Sequence, residues 1–194
     1  MGNLRSVSKA LEHVAPADEV LVTADPKQIL SCERVVVPGQ GAMPDCMRQL
    51  IESGAREAVI AAARDKPFLG LCIGLQMLFE QAEEGDTPGL GLLAGRVPRL
   101  SAPGLKIPHM GWNEVIQSRP HPLWDGIADR SRFYFVHSYH PAPADRSLTA
   151  ATCVYGSPFT CAVARDNIFA VQFHPEKSQS AGLQLLSNFL RWQP

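Results

Sequence analysis

A cysteine between two glycines constrains the fold of this chain most. In the segment Gly70–Gly74, with the sequence GLCIG, the apolar run Phe68–Leu71 ends directly at Cys72. The pattern G-x-nucleophile-x-G is typical of a sharp turn from a buried strand into a helix, because small residues let neighbouring segments approach closely. We predict a helix from Cys72 to about Glu83, whose N-terminus would favour the thiolate over the thiol. The alternative is a buried cysteine between two packing glycines.

The first half of the chain alternates helical and strand-like patterns. The predicted elements are a helix with apolar residues at Leu4, Val7, Leu11 and Val14 and an N-cap at Asn3, a strand over Glu19–Thr23, a buried parallel strand over Arg34–Val37, and helical material from about Asp45 to Arg64 that Gly54 divides.

Short runs separated by Pro and Gly predict strands in the second half. These strands are expected within residues 106–116, 132–136, 149–154, 159–164 and 168–173, followed by a helix over about Ser180–Trp192. Helices alternating with strands, followed by β-rich structure, indicate an α/β fold. We expect a mixed, mostly parallel central sheet flanked by helices, with an antiparallel β-rich second half.

The composition excludes several classes of protein. A length of 194 residues predicts one domain, and 45% hydrophobic residues are enough for a full core. With 18 Lys and Arg against 19 Asp and Glu, a nucleic-acid-binding surface is not expected. The most apolar stretch, Pro67–Phe79, is too short for a membrane span. Five cysteines without a CxxC pair predict a reducing, cytoplasmic environment rather than disulfides.

A nucleophilic cysteine needs a base and a group that orients the base. His174 follows a predicted apolar strand, and Glu176 is placed to fix its tautomer and stabilise its charged form. The alternative for His174 is an exposed histidine at a strand end. His137 and His140 are the competing pair, but they lie in a predicted strand without a third ligand, so neither a metal nor a cofactor is expected.

The loop Pro38–Gly41, with the sequence PGQG, follows the strand predicted over Arg34–Val37. Its two glycines allow the backbone amides to turn into a pocket, which suits either a phosphate or an oxyanion. It is not a dinucleotide-binding fingerprint, because the third glycine of that pattern would fall on Pro44.

Taken together, these residues resemble the class I glutamine amidotransferases. That family has a PGxG oxyanion loop, a G-x-C-x-G elbow with Gln four residues after the Cys, and a late His-Pro-Glu, in this order. Within the family, the strings Lys106–Asn113, Phe133–Tyr139 and Gln172–Ser178 are similar to the glutaminase subunits of imidazole glycerol phosphate synthases.

The resemblance implies a glutaminase that works through a Cys-His-Glu triad. Cys72 would attack the glutamine amide, His174 would protonate the departing ammonia and then activate water, and Glu176 would orient His174. Ammonia would pass to a (β/α)8-barrel synthase subunit, with which the chain forms a heterodimer. That subunit would make imidazole glycerol phosphate and an aminoimidazole carboxamide ribotide, in histidine biosynthesis.

The resemblance also assigns the remaining site residues. They are Gln40, Gly41 and Ile73 for the oxyanion, with Gln40 where the family often has Val; Gly39, Gln76, Glu84, Ser138 and Tyr139 for glutamine; and Asn3, Trp112, Tyr134 and Lys177 for the partner subunit. Alternatives remain open, because Glu84 would also suit a solvated helix end, and Trp112 and Tyr134 would also suit a core.

The start of the chain departs from the family pattern. Members begin with a short apolar strand, and Met1–Asn3 matches the turn after it, so we expect the native protein to start upstream of Met1. The N-myristoylation pattern at Met1–Ser6 would then be an artefact of truncation. Two other functions remain open, which are another triad amidotransferase or Cys-His-Glu hydrolase, and an inactive scaffold subunit.

Overall fold

The computed structural model describes residues 4–194. Its helices are α1 (Leu4–Val14), α2 (Pro26–Ser31), α3 (Met43–Glu52), α4 (Arg56–Asp65), α5 (Ile73–Gln76) and α6 (Gln179–Arg191). Its strands are β1 (Val35–Gly39), β2 (Phe68–Cys72), β3 (Phe79–Ala82), β4 (Thr87–Pro88), β5 (Leu93–Val97), β6 (His109–Glu114), β7 (Ile116–Gln117), β8 (Arg132–His137), β9 (Ala142–Pro143), β10 (Thr149–Tyr155), β11 (Ser157–Arg165) and β12 (Ile168–Val171).

The main sheet has six strands in the order β1-β2-β12-β11-β10-β7. Strands β1, β2 and β12 are parallel, and the remaining pairs are antiparallel. β2 and β12 are buried throughout, as their continuous apolar sequences require of central parallel strands. Residues that follow the three parallel strands meet at one edge of the sheet, which is where α/β folds bind ligands.

Two smaller sheets flank the main one. Strands β4, β3, β5 and β9 form a four-stranded sheet, and β6 and β8 form a two-stranded antiparallel sheet. Hydrophobic side chains fill a core on each side of the main sheet. Leu69 and Leu71 belong to one core, and Phe68 belongs to the other, because successive side chains of a strand point to opposite faces. The mixed α/β fold with a β-rich second half is confirmed, but two of the five strand pairs of the main sheet are parallel, so this sheet is not mostly parallel as predicted.

Most of the predicted elements are found. Helix α1 has the predicted apolar stripe, while the predicted cap at Asn3 lies outside the described residues. The helical region after β1 is divided at Gly54, which has a φ of 73° between α3 and α4. Helix α6 buries Leu186 and Phe189, as its spacing predicted.

The strand predicted over Glu19–Thr23 is wrong. This segment has no regular secondary structure, and β1 is the edge strand of the main sheet on that side. A cavity of about 670 Å³ is lined by Leu21 and Thr23 and by residues of β1. A strand is held by hydrogen bonds to its neighbours, and the described chain offers this segment no neighbouring strand.

The helix predicted from Cys72 to about Glu83 is also wrong, because α5 ends at Gln76 and β3 begins at Phe79. The amides of Leu92 and Leu93 donate to the carbonyl of Leu78, and β3 then pairs with β5. Pairing with a distant segment therefore replaces a local helix that the sequence also allows.

None of the helices found between residues 4 and 194 is both long and apolar enough to cross a lipid bilayer.

An apolar strand ahead of Met1 stays a prediction, and the open edge of β1 is where it would pair. Extending the chain by about five apolar residues and a short turn should raise the melting temperature by at least about 4 °C, because the strand would pair with β1 and fill the cavity. Calorimetry of both chains measures this difference. A Gly/Ser extension of equal length is the control, and equal melting temperatures for all three chains would contradict the prediction.

Candidate active site

Cys72 lies at the sharp turn between β2 and α5. Its backbone has φ 55° and ψ −107°, a strained conformation for a residue other than glycine. Gly74 permits the turn, because a Cβ atom there would lie 1.8 Å from the carbonyl oxygen of Val37 on β1. A Cβ atom on Gly70 would lie 2.9 Å from the carbonyl oxygen of Gly74. The elbow that the two glycines predicted is confirmed.

The short α5 changes the electrostatic argument for the thiolate. A helix of four residues has little macrodipole, so the helix N-terminus contributes less than the sequence predicted. The side chain of Cys72 is buried, and its partners are the groups packed around it. Stabilisation of a thiolate must therefore come from individual hydrogen bonds and charges.

His174 and Glu176 supply one part of that environment. Strand β12 pairs with β2 so that Val171 lies opposite Leu71, which brings the chain after β12 to Cys72. Nδ1 of His174 lies 2.8 Å from Oε1 of Glu176, and the side chains of both residues are buried. A carboxylate can only accept, so Nδ1 carries the proton of this bond.

The charge state of His174 follows from the same contacts. Burial lowers the pKa of His174, but hydrogen bonds and attraction to Cys72 and Glu176 outweigh burial and raise it to about 9. At neutral pH the ring is therefore an imidazolium, which lies between the sulfur of Cys72 and the side chain of Glu176. Such a group can donate a proton to a leaving group bound at Cys72 and later accept one from water.

The glycine-rich loop lies beside the nucleophile. Gly39 at the end of β1 is in register with Cys72 at the end of β2, and a Cβ atom on Gly39 would lie 2.6 Å from Cβ of Ile73. Gly41 has a φ of 98°, which lets the loop reverse after Gln40. The structure thus brings all the predicted oxyanion residues to the elbow.

The residues predicted for glutamine binding lie around the same site. Nε2 of Gln76 is 3.3 Å from the carbonyl oxygen of Tyr139. The carbonyl oxygen of Ser138 accepts from the amide of Leu100. Oε2 of Glu84 accepts from the amide of Met43, the first residue of α3, at 2.8 Å. Glu84 therefore caps a helix, a structural role that the sequence did not predict.

The competing histidines form hydrogen bonds within the protein. Nδ1 of His137 lies 2.8 Å from the carbonyl oxygen of Tyr139, and its Nε2 lies 2.9 Å from Nδ1 of His109. His140 lies 3.1 Å, through Nδ1, from the carbonyl oxygen of Pro141. Across residues 4–194, no group of three or more His, Cys, Asp or Glu side chains is placed to hold a metal ion.

The predicted partner residues form one surface. Trp112 on β6 is 41% exposed. It lies opposite Tyr134 on the neighbouring strand β8, and the centroids of the two rings are 6.2 Å apart. Nζ of Lys177 lies 5.9 Å from the centroid of the Tyr134 ring. The core alternative is wrong for Trp112, whose exposure is too large. Asn3 lies outside the described residues.

Sequence reasoning missed one residue that contacts the nucleophile. Nε2 of Gln172 lies 3.6 Å from Sγ of Cys72, and the side chain is fully buried. In the sequence, Gln172 belongs to the string Gln172–Ser178, and no role of its own is predicted for it. The available signal was a lone amide within the apolar run Phe169–Phe173, immediately ahead of His174, because a buried polar side chain needs a partner.

Comparisons with known proteins agree with this geometry. Residues 4–192 match the family "Glutamine amidotransferase class-I". The chain is 65% identical to "Imidazole glycerol phosphate synthase subunit HisH" of Dechloromonas aromatica (strain RCB), over 100% of this chain and 94% of that protein. It is 63% identical to the protein of the same name from Aromatoleum aromaticum, over 100% of this chain and 95% of that one.

Solved structures share the fold at low sequence identity. A structure titled "Crystal structure of glutamine amidotransferase" has a TM-score of 0.75 and 19% identity, over 98% of this chain and 93% of that one. The glutaminase domain of Trypanosoma brucei CTPS has a TM-score of 0.67 and 17% identity, over 100% of this chain and 90% of that one.

The contacts of His174 predict a pH dependence. Because the pKa of His174 is raised in the folded state to about 9 from 6.5, its contribution to stability is complete below pH 6.5 and is lost as the pH rises through about 9. NMR titration of the His174 ring should give a midpoint well above 6.5. Cys72→Ala should lower that midpoint by removing one of the two partners. An unchanged midpoint in Cys72→Ala would show that the thiol does not interact with the imidazole.

Proposed function

Because this chain belongs to the class I glutamine amidotransferases, we propose that it hydrolyses glutamine to glutamate and ammonia through Cys72, His174 and Glu176. One observation carries the proposal. A buried His-Glu pair lies beside a cysteine at a strand–helix elbow, in a chain 65% identical to a HisH subunit. The intact arrangement of these three residues argues against an inactive scaffold.

The reaction follows from the charges of the site. Sγ of Cys72 attacks the side-chain amide carbon of glutamine, and a tetrahedral oxyanion forms. The His174 imidazolium gives its Nε2 proton to the amide nitrogen, the C–N bond breaks, and ammonia leaves a glutamyl thioester. Neutral His174 then takes a proton from water, whose oxygen attacks the thioester and releases glutamate and Cys72. Glu176 accepts the hydrogen bond from Nδ1–H of His174 throughout and so keeps the ring oriented.

Backbone groups around the elbow stabilise the oxyanion in this mechanism. The amide of Ile73 directly follows the nucleophile, and the loop of Gln40 and Gly41 follows the strand residue in register with Cys72. Backbone donors fixed before the reaction stabilise developing charge without reorganisation. Because the donors are main-chain amides, the side chain at Gln40 can vary without loss of this function.

Glutamine is recognised by the polar groups beyond the elbow. The amide nitrogen of Gln76 is engaged by the protein, which leaves its carboxamide oxygen to accept from the substrate ammonium group. Glu84 adds negative charge for the same group, while Gly39, Ser138 and Tyr139 contribute backbone or side-chain groups. These assignments rest on the family resemblance together with the positions of the residues around the elbow.

Ammonia is delivered to a partner subunit in this proposal. The relatives are named subunits of imidazole glycerol phosphate synthase, and we assign this chain a (β/α)8-barrel synthase partner in cytoplasmic histidine biosynthesis. The surface of Trp112, Tyr134 and Lys177 is the docking face. It is joined to the triad, because the amide of His174 donates to the carbonyl of Tyr134 at 2.9 Å.

Removing the nucleophile separates hydrolysis from synthesis. Cys72→Ala should reduce ammonia release from glutamine at least about 10³-fold. Synthesis from added ammonium salts should persist, since the partner performs that step. Assays with and without the synthase and its ribotide measure both activities. Cys153→Ala is the matched control, because this buried thiol lies outside the site. Glutaminase activity retained in Cys72→Ala would exclude the proposed nucleophile.

Lys177 tests the link between docking and the triad. Lys177→Ala removes the cation above Tyr134 and should lower synthase-stimulated glutaminase activity by about fivefold, the equivalent of one lost cation–π contact. Basal activity should stay near that of the unchanged protein. Lys27→Ala is the control. Lys27 is an exposed lysine in the first turn of α2, and its removal should change neither the basal nor the stimulated activity. Equal losses of basal and stimulated activity would assign Lys177 a catalytic or folding role instead.

A further inference from the structure

Gln172 is held beside Cys72 by strand pairing of its backbone and by complete burial of its side chain. It follows β12 directly, and its amide donates to the carbonyl of Cys161 on β11 at 2.8 Å. Its side chain is 0% exposed, and Nε2 lies 3.6 Å from Sγ of Cys72. That separation is typical of an N–H···S hydrogen bond, since sulfur is larger than oxygen.

The orientation of the Gln172 carboxamide is determined by the carbonyl of Tyr139, to which it is linked through Gln76. The carbonyl oxygen of Tyr139 can only accept, so Gln76 must turn its NH2 group toward it. The second hydrogen of that NH2 group points to Oε1 of Gln172, 3.0 Å away. Because the oxygen of Gln172 faces Gln76, its own NH2 group faces Cys72. Sγ of Cys72 therefore accepts a hydrogen bond from the NH2 group of Gln172 and does not face its carbonyl oxygen.

The Tyr139 carbonyl is in turn held by neutral histidines. His137 donates to it from Nδ1, so its Nε2 must accept from Nδ1 of His109, and Nε2 of His109 accepts from Asn113 at 3.2 Å. Burial lowers the pKa of His137 to about 3 and that of His109 to about 4, so each ring carries one hydrogen at neutral pH. The Tyr139 carbonyl thus accepts from two sides, from His137 in the series that begins on β6 and from Gln76 in the series that ends at the elbow.

We propose that Gln172 is a further catalytic residue, whose carboxamide N–H group donates a hydrogen bond to Sγ of Cys72 and stabilises the thiolate. The thiolate is a much better acceptor than the thiol, because hydrogen bonds to charged groups are about twice as strong as neutral ones. Because α5 is short and contributes little through its dipole, two side chains favour the thiolate. Gln172 does so through this hydrogen bond, and His174 does so through its positive charge. The part of Gln172 in glutamine hydrolysis rests on the proposed function.

A more stable thiolate is a weaker nucleophile, so the two effects must be compared. Lowering the ionisation midpoint by one pH unit raises the thiolate fraction about tenfold at pH values below the midpoint. Nucleophilicity falls only about threefold for the same change. The net rate of attack therefore rises wherever the pH lies below the ionisation midpoint, and there the bond to Gln172 is favourable for catalysis.

The pH dependence of Cys72 alkylation tests the bond without requiring enzymatic activity. The full chain is treated with iodoacetamide from pH 5 to 10, and mass spectrometry follows the peptide that contains Cys72. Gln172→Leu, which removes the donor, should raise the midpoint of the profile by about one pH unit. The nearly isosteric Gln172→Glu should raise it further, because its carboxylate repels the thiolate. A midpoint that is unchanged in both folded variants would overturn the proposal.

Asn188→Leu is the matched control. Asn188 is also a buried amide, and it donates to the carbonyls of Leu123 and Asp125, far from the elbow. This variant should lower the melting temperature and leave the alkylation midpoint unchanged. An equal shift in Asn188→Leu would attribute the effect to general loosening of the fold and would also overturn the proposal.

A measurement on unsubstituted Gln172 covers the case in which neither variant folds. The side-chain NH2 resonances of Gln172 should shift with the same midpoint as Cys72 alkylation, and Cys72→Ala should abolish that step. Resonances without such a step in the unchanged protein would refute the bond. If the bond is found and glutamine is not hydrolysed, the proposed function fails while the contact between Gln172 and Cys72 stands.

Discussion

The close contact between Gly74 and the carbonyl of Val37 holds the catalytic centre together. With no room for even one methyl group, α5 presses against β1, and this contact fixes Cys72 in its strained conformation. The same contact sets Ile73 against Gly39, so that nucleophile and oxyanion loop have one relative position. β12 then places His174 from the other side of β2. Every proposed catalytic distance depends on three parallel strands remaining in register.

Two series of hydrogen bonds that converge on the Tyr139 carbonyl add a second constraint on the same centre. One runs from Asn113 on β6 through two neutral histidines to that carbonyl, and the other runs from Gln76, which donates to the carbonyl and to Gln172, and ends at Cys72. Reversing any member would leave a buried donor or acceptor unpaired, at a cost of about 1–3 kcal/mol. The two-stranded sheet of β6 and β8, which we propose as the docking face, is thus connected to Cys72 through side chains and to His174 through Tyr134.

The sequence predicted the elements whose signal is local and missed those decided by distant pairing. The elbow at Cys72 was predictable because only small residues fit around it, and His174 because it follows a strand and precedes a proline. The helix predicted up to Glu83 failed because β3 pairs with a segment that local periodicity does not detect. Gln172 was missed for the same reason, since its partner Cys72 is 100 residues away in the sequence. The sequence around Glu84 contains no pattern that indicates its hydrogen bond to the first residue of α3.

The edge of the main sheet affects the site as well as stability. The loop of Gly39–Gly41 continues from β1, which within residues 4–194 pairs with a strand on one side only, and a cavity lies along its other side. Opening of an edge strand requires less free energy than opening of a central one, because fewer contacts are lost. β2 and β12, which carry Cys72 and lead to His174, are central strands. Of the groups that meet at the elbow, the oxyanion loop is therefore the first that local opening would displace, and a strand paired with the open side of β1 would improve the preorganisation of the site.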